Sequence, residues 1–285
     1  AGNLDGGTIN ADTLVGSGKL IIDPGVVTVN GANSNYTGDV MLKGGSQAVL
    51  SNVSGLGNSG LVTLTNKEDH LTFAKQLATD AVAVGNLGKQ LAGAGTVEVK
   101  DGTDITLTAD NSAFSGEFQV DNGSDLRASA TQVLGEPSVV NNGSVYLTAD
   151  NDWELTNVVT GSGYLEKLGS ATLIVNRDLT YTGDTNLRAG RLVLVDNAAA
   201  SGKISGNGMV NIASGAILGG NGEVTGRVNN FGILAALNAL SGYESQPVGN
   251  LTVGNLNNSG EIKLNGSAAG NSLTIRGNYV GDNGL

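Results

Sequence analysis

The feature that most constrains this chain is a mark of the form apolar-x-Gly-x-Gly-x-apolar, which occurs five times: at residues 14–20, 91–97, 159–165, 204–210 and 218–224. A second mark, aromatic-x-Gly-acid, follows the first three at a fixed distance. Tyr36 lies 20 residues after Gly16, Tyr181 lies 20 after Gly161, and Phe114 lies 21 after Gly93. Tyr279 opens a fourth copy. A third mark places paired asparagines before glycine, at 140–143, 228–232 and 256–260. The large repeat is thus about 70–78 residues, with spacings near 20 inside it. Periods of roughly 20–50 residues point to a solenoid, in which each unit buries its apolar face only against its neighbours.

Between the marks lie short segments rich in β-branched residues: 20–22, 26–29, 61–64, 97–99, 105–108, 145–147, 173–175, 192–195, 210–212, 251–253, 261–264 and 273–275. Many alternate apolar and polar, and Gly, Asn, Asp or Ser bound them, which reads as strands with one face inward. Glycine makes up 45 of 285 residues. That excess suits tight corners, because glycine accepts the positive φ that such corners demand. Asparagines in successive coils can also hydrogen-bond through their amides. The reading is an all-β, right-handed parallel β-helix of roughly 12–14 coils, on the order of 60 Å long at the usual strand spacing. Its two ends carry unpaired strand edges that something should cover. We divide it into repeats over 1–200 and a C-terminal cap over 201–285. One local rival is a helix over 67–81, where Leu71, Ala74, Leu77, Ala78 and Ala81 fall at helical spacing; the β neighbours favour a strand around 71–73.

Composition narrows function. The net charge is −11 and cysteine is absent. The acidic balance argues against nucleic-acid binding and against docking on anionic membrane. Without cysteine there is no disulfide, no thiol nucleophile and no cysteine-ligated metal. No apolar run is long enough to span a bilayer as a helix. The N-terminus lacks the basic and apolar regions of a signal peptide. The single histidine, His70, sits among charged residues at 67–70 and reads as a solvated loop, with no Gly-x-Ser-x-Gly elbow elsewhere. Residues 218–224 superficially match a calcium nonapeptide, but the copy is single and carries Glu223 where aspartate is required. Asp101 with Asp104, and Asp150, Asp152 with Glu154, are the carboxylate groups that a polysaccharide-cleaving β-helix would use. Trp153, Phe73 and Tyr243 are the aromatics that would anchor a partner if exposed, but capping of a coil is the favoured reading for them. Residues 235–248 break the strand rhythm and read as a protruding loop. No cofactor is expected.

Residues 161–175 (Gly-Ser-Gly-Tyr-Leu-Glu-Lys-Leu-Gly followed by Leu-Ile-Val), leading into 179–194 (Leu-Thr-Tyr-Thr-Gly-Asp-Thr and a final Gly-Arg-Leu), resemble the passenger-associated strand repeat of Gram-negative type V autotransporters. Residues 16–50 and 93–127 are weaker copies that depart at the lysine–glycine step. Residues 201–285 resemble the autochaperone, or pertactin-like, C-terminal passenger segment, on 222–230, 249–253 and 277–281; the usual Ile-Ala-Pro-Gly step is altered to Ile-Leu-Ala-Ala at 233–236. The resemblance implies a β-helix displayed at the cell surface, anchored in the outer membrane by a β-barrel following Leu285, with no membrane insertion of this segment itself. It implies a non-enzymatic adhesin acting in adhesion, autoaggregation or biofilm formation. Its partners would be a host cell or matrix component, or the same protein on neighbouring cells. The alternatives are a polysaccharide hydrolase or lyase, and a structural stalk carrying a head from elsewhere in the protein.

Overall fold

The structure, a computed structural model, describes residues 2–58, 60–76, 83–197, 200–242, 249–264 and 270–282. It is nearly all β, a solenoid of about 12 turns built on parallel sheets. Contacts divide it into two units, Ala1–Val145 and Tyr146–Leu285, so a boundary at 200/201 falls inside the second unit.

The first unit stacks its strands in three walls. One holds Gly2–Leu4, Leu20–Ile22, Val40–Leu42, Leu61–Leu64 and Gln90–Gly93. The next holds Gly7–Ile9, Val26–Val29, Gln47–Leu50, His70–Phe73, Thr96–Val99, Glu117–Val120 and Ser138–Asn141. The third holds Val84–Leu87, Asp104–Leu107 and Asp125–Ala128. Each strand pairs in parallel with the equivalent strand one turn on: Val26 with Gln47, Gln47 with His70, and Thr96 with Glu117. Alternation sorts the side chains. Leu20, Ile22, Val40 and Leu42 point inward and are buried, while Ile21 and Met41 face outward. Each buried aliphatic contributes about 1.5–3 kcal/mol. Phe114 and Phe118 meet edge-on inside, with ring centroids 5.3 Å apart.

The sequence marks are stacked corners. Gly16 bridges in parallel to Tyr36, and Gly93 to Phe114, so the spacing of about 20 residues is one turn of the coil. The phenolic oxygen of Tyr36 lies 2.6 Å from the carbonyl oxygen of Gly18 and 2.8 Å from that of Asp39, fastening one corner to the next. Gly93 has φ +92°, and a Cβ there would lie 1.9 Å from the Leu64 carbonyl oxygen. Conformation and space both demand glycine at this position.

Phe73 is fully buried, not exposed. It occupies an inward position of the His70–Phe73 strand, in register with Leu50 and Val99. That strand also replaces the helical alternative over 67–76; residues 77–81 lie outside the described residues. No sequence signal announces the one-turn helix Thr131–Leu134, which ends at Gly135 with φ +75°.

The second unit repeats the plan. One wall stacks Tyr164–Leu168, Thr185–Leu187, Val210–Ile212, Val228–Asn230, Leu256–Asn258 and Tyr279–Gly281. Another stacks Trp153–Leu155, Thr172–Val175, Arg191–Leu194, Ile217–Gly220, Ile233–Ala236 and Glu261–Lys263. The third stacks Asp178–Leu179, Lys203–Ile204, Glu223–Val224, Asn250–Val253 and Ser272–Ile275. Trp153 is only 7% exposed, in register with buried Leu173, and its Nε1 donates to the Thr148 carbonyl at 3.2 Å. The partner-anchoring alternative for Trp153, which needs it exposed, therefore does not hold, because alternation points it inward.

The expected protruding loop also proves different over its described part. Ile233–Ala236 is a strand, and the 3₁₀ turn Leu237–Ala239 folds back over the outer side of its wall. Leu237 and Leu240 are buried against Val193 and Ala235, with Ile217 and Ile233 at the margin. A Cβ on Gly219 would lie 2.6 Å from Leu240 Cδ1, so the bare backbone there makes the seat for that leucine. The segment is a strap on an apolar outer patch. Tyr243 and the rest of the insert through residue 248 lie outside the described residues.

Gly93→Val should lower unfolding stability by at least about 3 kcal/mol, the scale of a strained backbone combined with overpacking. Urea denaturation followed by circular dichroism measures it. A loss below about 1 kcal/mol would show that the corner has room to relax.

Candidate functional site

The outward row of the Tyr164–Leu168 wall differs from the inward rows in chemistry. Inward, Leu165, Thr185, Val210, Val228 and Leu256 stack in register and are buried. Outward, Glu166 pairs with Asn186, Asn186 with Asn211, Asn211 with Asn229, and Asn229 with Asn257. These four asparagines form a ladder. The Asn211 amide donates to Asn186 Oδ1 at 2.9 Å, Asn229 to Asn211 at 2.8 Å, and Asn257 to Asn229 at 3.0 Å. Beside it, the Asn230 amide donates to Asn258 Oδ1 at 2.7 Å. The asparagine pairs singled out in the sequence supply Asn229, Asn230, Asn257 and Asn258. Asn186 and Asn211 sit singly, between Thr185 and Leu187 and between Val210 and Ile212, and carry no such signal.

The ladder leads into a cleft of about 490 Å³ lined by Ser162, Tyr164, Glu166, Gly183, Asp184, Asn186 and Arg188. Arg188 grips Glu166 with two bonds, Nη2 to Oε1 at 2.8 Å and Nε to Oε2 at 3.2 Å. Tyr164 and Tyr146 pack edge-to-face at 6.4 Å between centroids, and Tyr164 remains 38% exposed. Asp184 Oδ1 accepts the Met209 backbone N–H at 2.8 Å, which fixes the rim. Gly183 is required here by close approach, since a Cβ would lie 2.1 Å from the Gly163 carbonyl oxygen.

Beneath this face lies a buried cation. Lys167 is fully buried, and its Nζ donates to the carbonyls of Gly169, Ala171 and Ala189 at 2.7–2.9 Å. Burial pulls the ammonium down to about 8, with Asp150 and Asp152 opposing the shift. In the first unit, Lys89 is a second example. Its Nζ donates to the Gly38 carbonyl at 2.9 Å over the Tyr36 ring, and burial lowers it to about 8 against the pull of Asp39.

The other sequence candidates are held in structural roles. Asp69 is buried and accepts from the Gly45, Ser46 and Asn66 backbone N–H groups and from the Thr65 hydroxyl. His70 lies on a strand, not in a loop, with Nδ1 3.4 Å from Glu98. Thr72 donates to the same carboxylate at 2.7 Å and Lys100 lies 3.3 Å away. Burial works to raise the Glu98 carboxyl, but the Thr72 bond and the charges of Lys100 and His70 outweigh it and hold it low. The carboxylate thus sits between hydroxyl and imidazole, whereas a nucleophilic relay needs the imidazole in the middle. Asp101 forms a turn at φ +58°. Asp104 is paired with Arg127 at 2.8 and 3.0 Å. Asp152 accepts the Thr172 N–H at 2.7 Å, and Glu154 accepts the Asn176 amide. Glu223, in the calcium-like segment, pairs with Lys203 at 3.1 Å and with Arg276. Among the described residues no group of three His, Cys, Asp or Glu could hold a metal ion.

The family model described as the passenger-associated-transport-repeat matches residues 165–194, which run through the wall, the cleft and the buried lysine. Two relatives come from Escherichia coli K12. A protein named as an uncharacterized lipoprotein, YdeK, is 30% identical over 229 residues, covering 78% of this chain and 16% of its own length. A protein named as uncharacterized, YuaQ, is 36% identical over 157 residues, covering 55% of this chain and 9% of its own length. The chain therefore spans well under a quarter of either relative. No solved structure shows a significant match.

The buried lysine gives a signed pH dependence. Between about pH 8 and its ordinary value of 10.5, an unfolded chain keeps a Lys167 proton that the folded chain has released. Stability therefore rises with pH through that window. Lys167→Met should cost of order 2 kcal/mol at pH 7, because carbonyls lose their donor. The gap in urea midpoint between wild type and variant should widen at pH 9.5. Midpoints that move in parallel from pH 7 to 9.5 would show that Lys167 does not titrate in this way.

Proposed function

The chain carries the passenger-associated repeat, a feature of autotransporter passenger domains, on a β-solenoid, and on that basis we propose that it acts as an adhesive passenger at the cell surface. In the intact protein its translocation partner is a C-terminal β-barrel in the outer membrane. Its adhesive partners are the same protein on neighbouring cells, or a host cell or matrix component. The role is binding rather than catalysis, in autoaggregation and biofilm formation.

The observation that carries this reading is the division of labour in each turn. Inward side chains fill the coil, and among the candidate carboxylates Asp152 accepts a backbone N–H, Asp104 pairs with Arg127 and Glu154 accepts the Asn176 amide. The outward row of the Tyr164–Leu168 wall is left as an array of amides beside a paired charge. Weak contacts repeated along such an array add through effective concentration, so no single deep pocket is needed.

Residues 201–285 would act in folding during secretion, because solenoid turns propagate from a formed neighbour. Deleting them should abolish surface display or leave the passenger protease-sensitive. Display at wild-type level would remove that role.

Cells displaying the intact protein should settle by clumping, and purified passenger should inhibit that settling or bind cultured cells or matrix proteins. Failure in clumping, cell adhesion and matrix binding together would overturn the adhesive reading.

A further inference from the structure

We propose that the cleft at Tyr164 and the asparagine ladder leading from it form a binding track for an extended, uncharged β-linked glycan. The inference deepens the adhesive reading and rests on it, by naming the chemistry the outer face would hold.

Three observations point to a sugar. The first is the mixture of groups in one cleft. Tyr164 offers an exposed aromatic surface, steadied by Tyr146 packed edge-on. A pyranose has just such an apolar C–H face to lay on an aromatic ring, while its hydroxyls need planar donors and acceptors around the rim. Glu166, Arg188, Asn186 and Asp184 supply both kinds. The Arg188–Glu166 pair is bidentate, which holds those groups in place before any ligand arrives.

The second observation is period. The ladder adds one amide per turn, in register, from Asn186 to Asn257. Parallel strands repeat at ~4.8 Å, close to the advance per sugar of an extended β-linked pyranose chain. Each rung spends one N–H and one carbonyl lone pair on its neighbours. The inventory of an amide gives each inner rung a second N–H and a second lone pair beyond those the ladder uses; that of Asn229 rests against Met209 Sδ at 3.7 Å, a weak acceptor that a sugar hydroxyl can replace. Successive sugars therefore meet an amide at every turn.

The third observation is charge. The chain carries −11 overall, and the only cation lining the cleft is already paired to Glu166, with Asp184 beside it. A polyanionic glycan would meet like charge without a basic counter-row. A neutral one loses nothing.

The test is isothermal titration of the full chain with cellohexaose, and with a galacturonic-acid hexamer of equal length as the acidic counterpart. Cellohexaose should bind in the micromolar to millimolar range, and Tyr164→Ala should weaken it at least tenfold. Asn211→Leu should weaken cellohexaose more than cellobiose titrated in the same way, because only the longer ligand reaches that rung. Val158→Ala, at an exposed position outside the cleft and the ladder, should leave binding within twofold. Circular dichroism of each variant confirms the fold. No detectable cellohexaose binding, binding indifferent to Tyr164→Ala, or equal binding of the acidic hexamer would each overturn the assignment. Cell clumping is measured in parallel on the Tyr164→Ala variant. If clumping persists in wild type while cellohexaose fails to bind, the glycan track falls and the adhesive reading stands.

Discussion

Everything in this protein depends on backbone meeting backbone at one strand spacing, turn upon turn. The parallel ladders leave no freedom in that direction, so any corner whose Cβ would point at the next turn must lack one. Gly93 over the Leu64 carbonyl and Gly183 over the Gly163 carbonyl show the limit: a Cβ would come within 1.9 and 2.1 Å of oxygen. A single methyl group there would pry apart hydrogen bonds on both sides. The glycine content is a consequence of stacking and implies no looseness of the chain.

That constraint explains which parts of the fold were legible. Corners repeat because stacking repeats, so the Gly-x-Gly and aromatic-x-Gly-acid marks could be read as successive turns, and the bridges Gly16 to Tyr36 and Gly93 to Phe114 are those marks in contact. Short alternating strands were legible for the same reason. What alternation alone could not reveal was phase. Trp153 stands between Asp152 and Glu154 in the sequence, which suggests exposure, and Phe73 lies near His70 and Lys75, yet each takes an inward position set by the strand paired above or below it. A shift of one residue exchanges the faces, and nothing local to Asp152 or His70 fixes it. The strap at Leu237 and Leu240 was hidden for a different reason. Its apolar seat on Val193 and Ala235 is on the outside of a wall, where the repeat leads one to expect polar residues.

The candidate face was half legible. The asparagine pairs at 229–230 and 257–258 carry the ladder signal because two adjacent amides serve two rows. Asn186 and Asn211 join the outer row alone, and their part emerges only once register is known. The cleft could not be foreseen at all. It assembles Tyr164 and Glu166 from one turn with Asp184 and Arg188 from the next, and the sequence separation between the two groups is simply the length of a turn.

Lys167 shows how framework and face are joined. An ammonium is costly to bury, and only three converging carbonyls make this one tolerable. Those carbonyls belong to corners of two successive turns, Gly169 and Ala171 in one and Ala189 in the next. The lysine therefore clamps the turn bearing Glu166 to the turn bearing Arg188, just where the outer surface places its bidentate ion pair. A neutral aliphatic at this position would fill the space but leave the corners free to drift relative to one another. The cost of a buried charge is met by geometry at the surface: an outer pair one turn apart keeps its two-bond alignment only if the turns beneath it are held in fixed register.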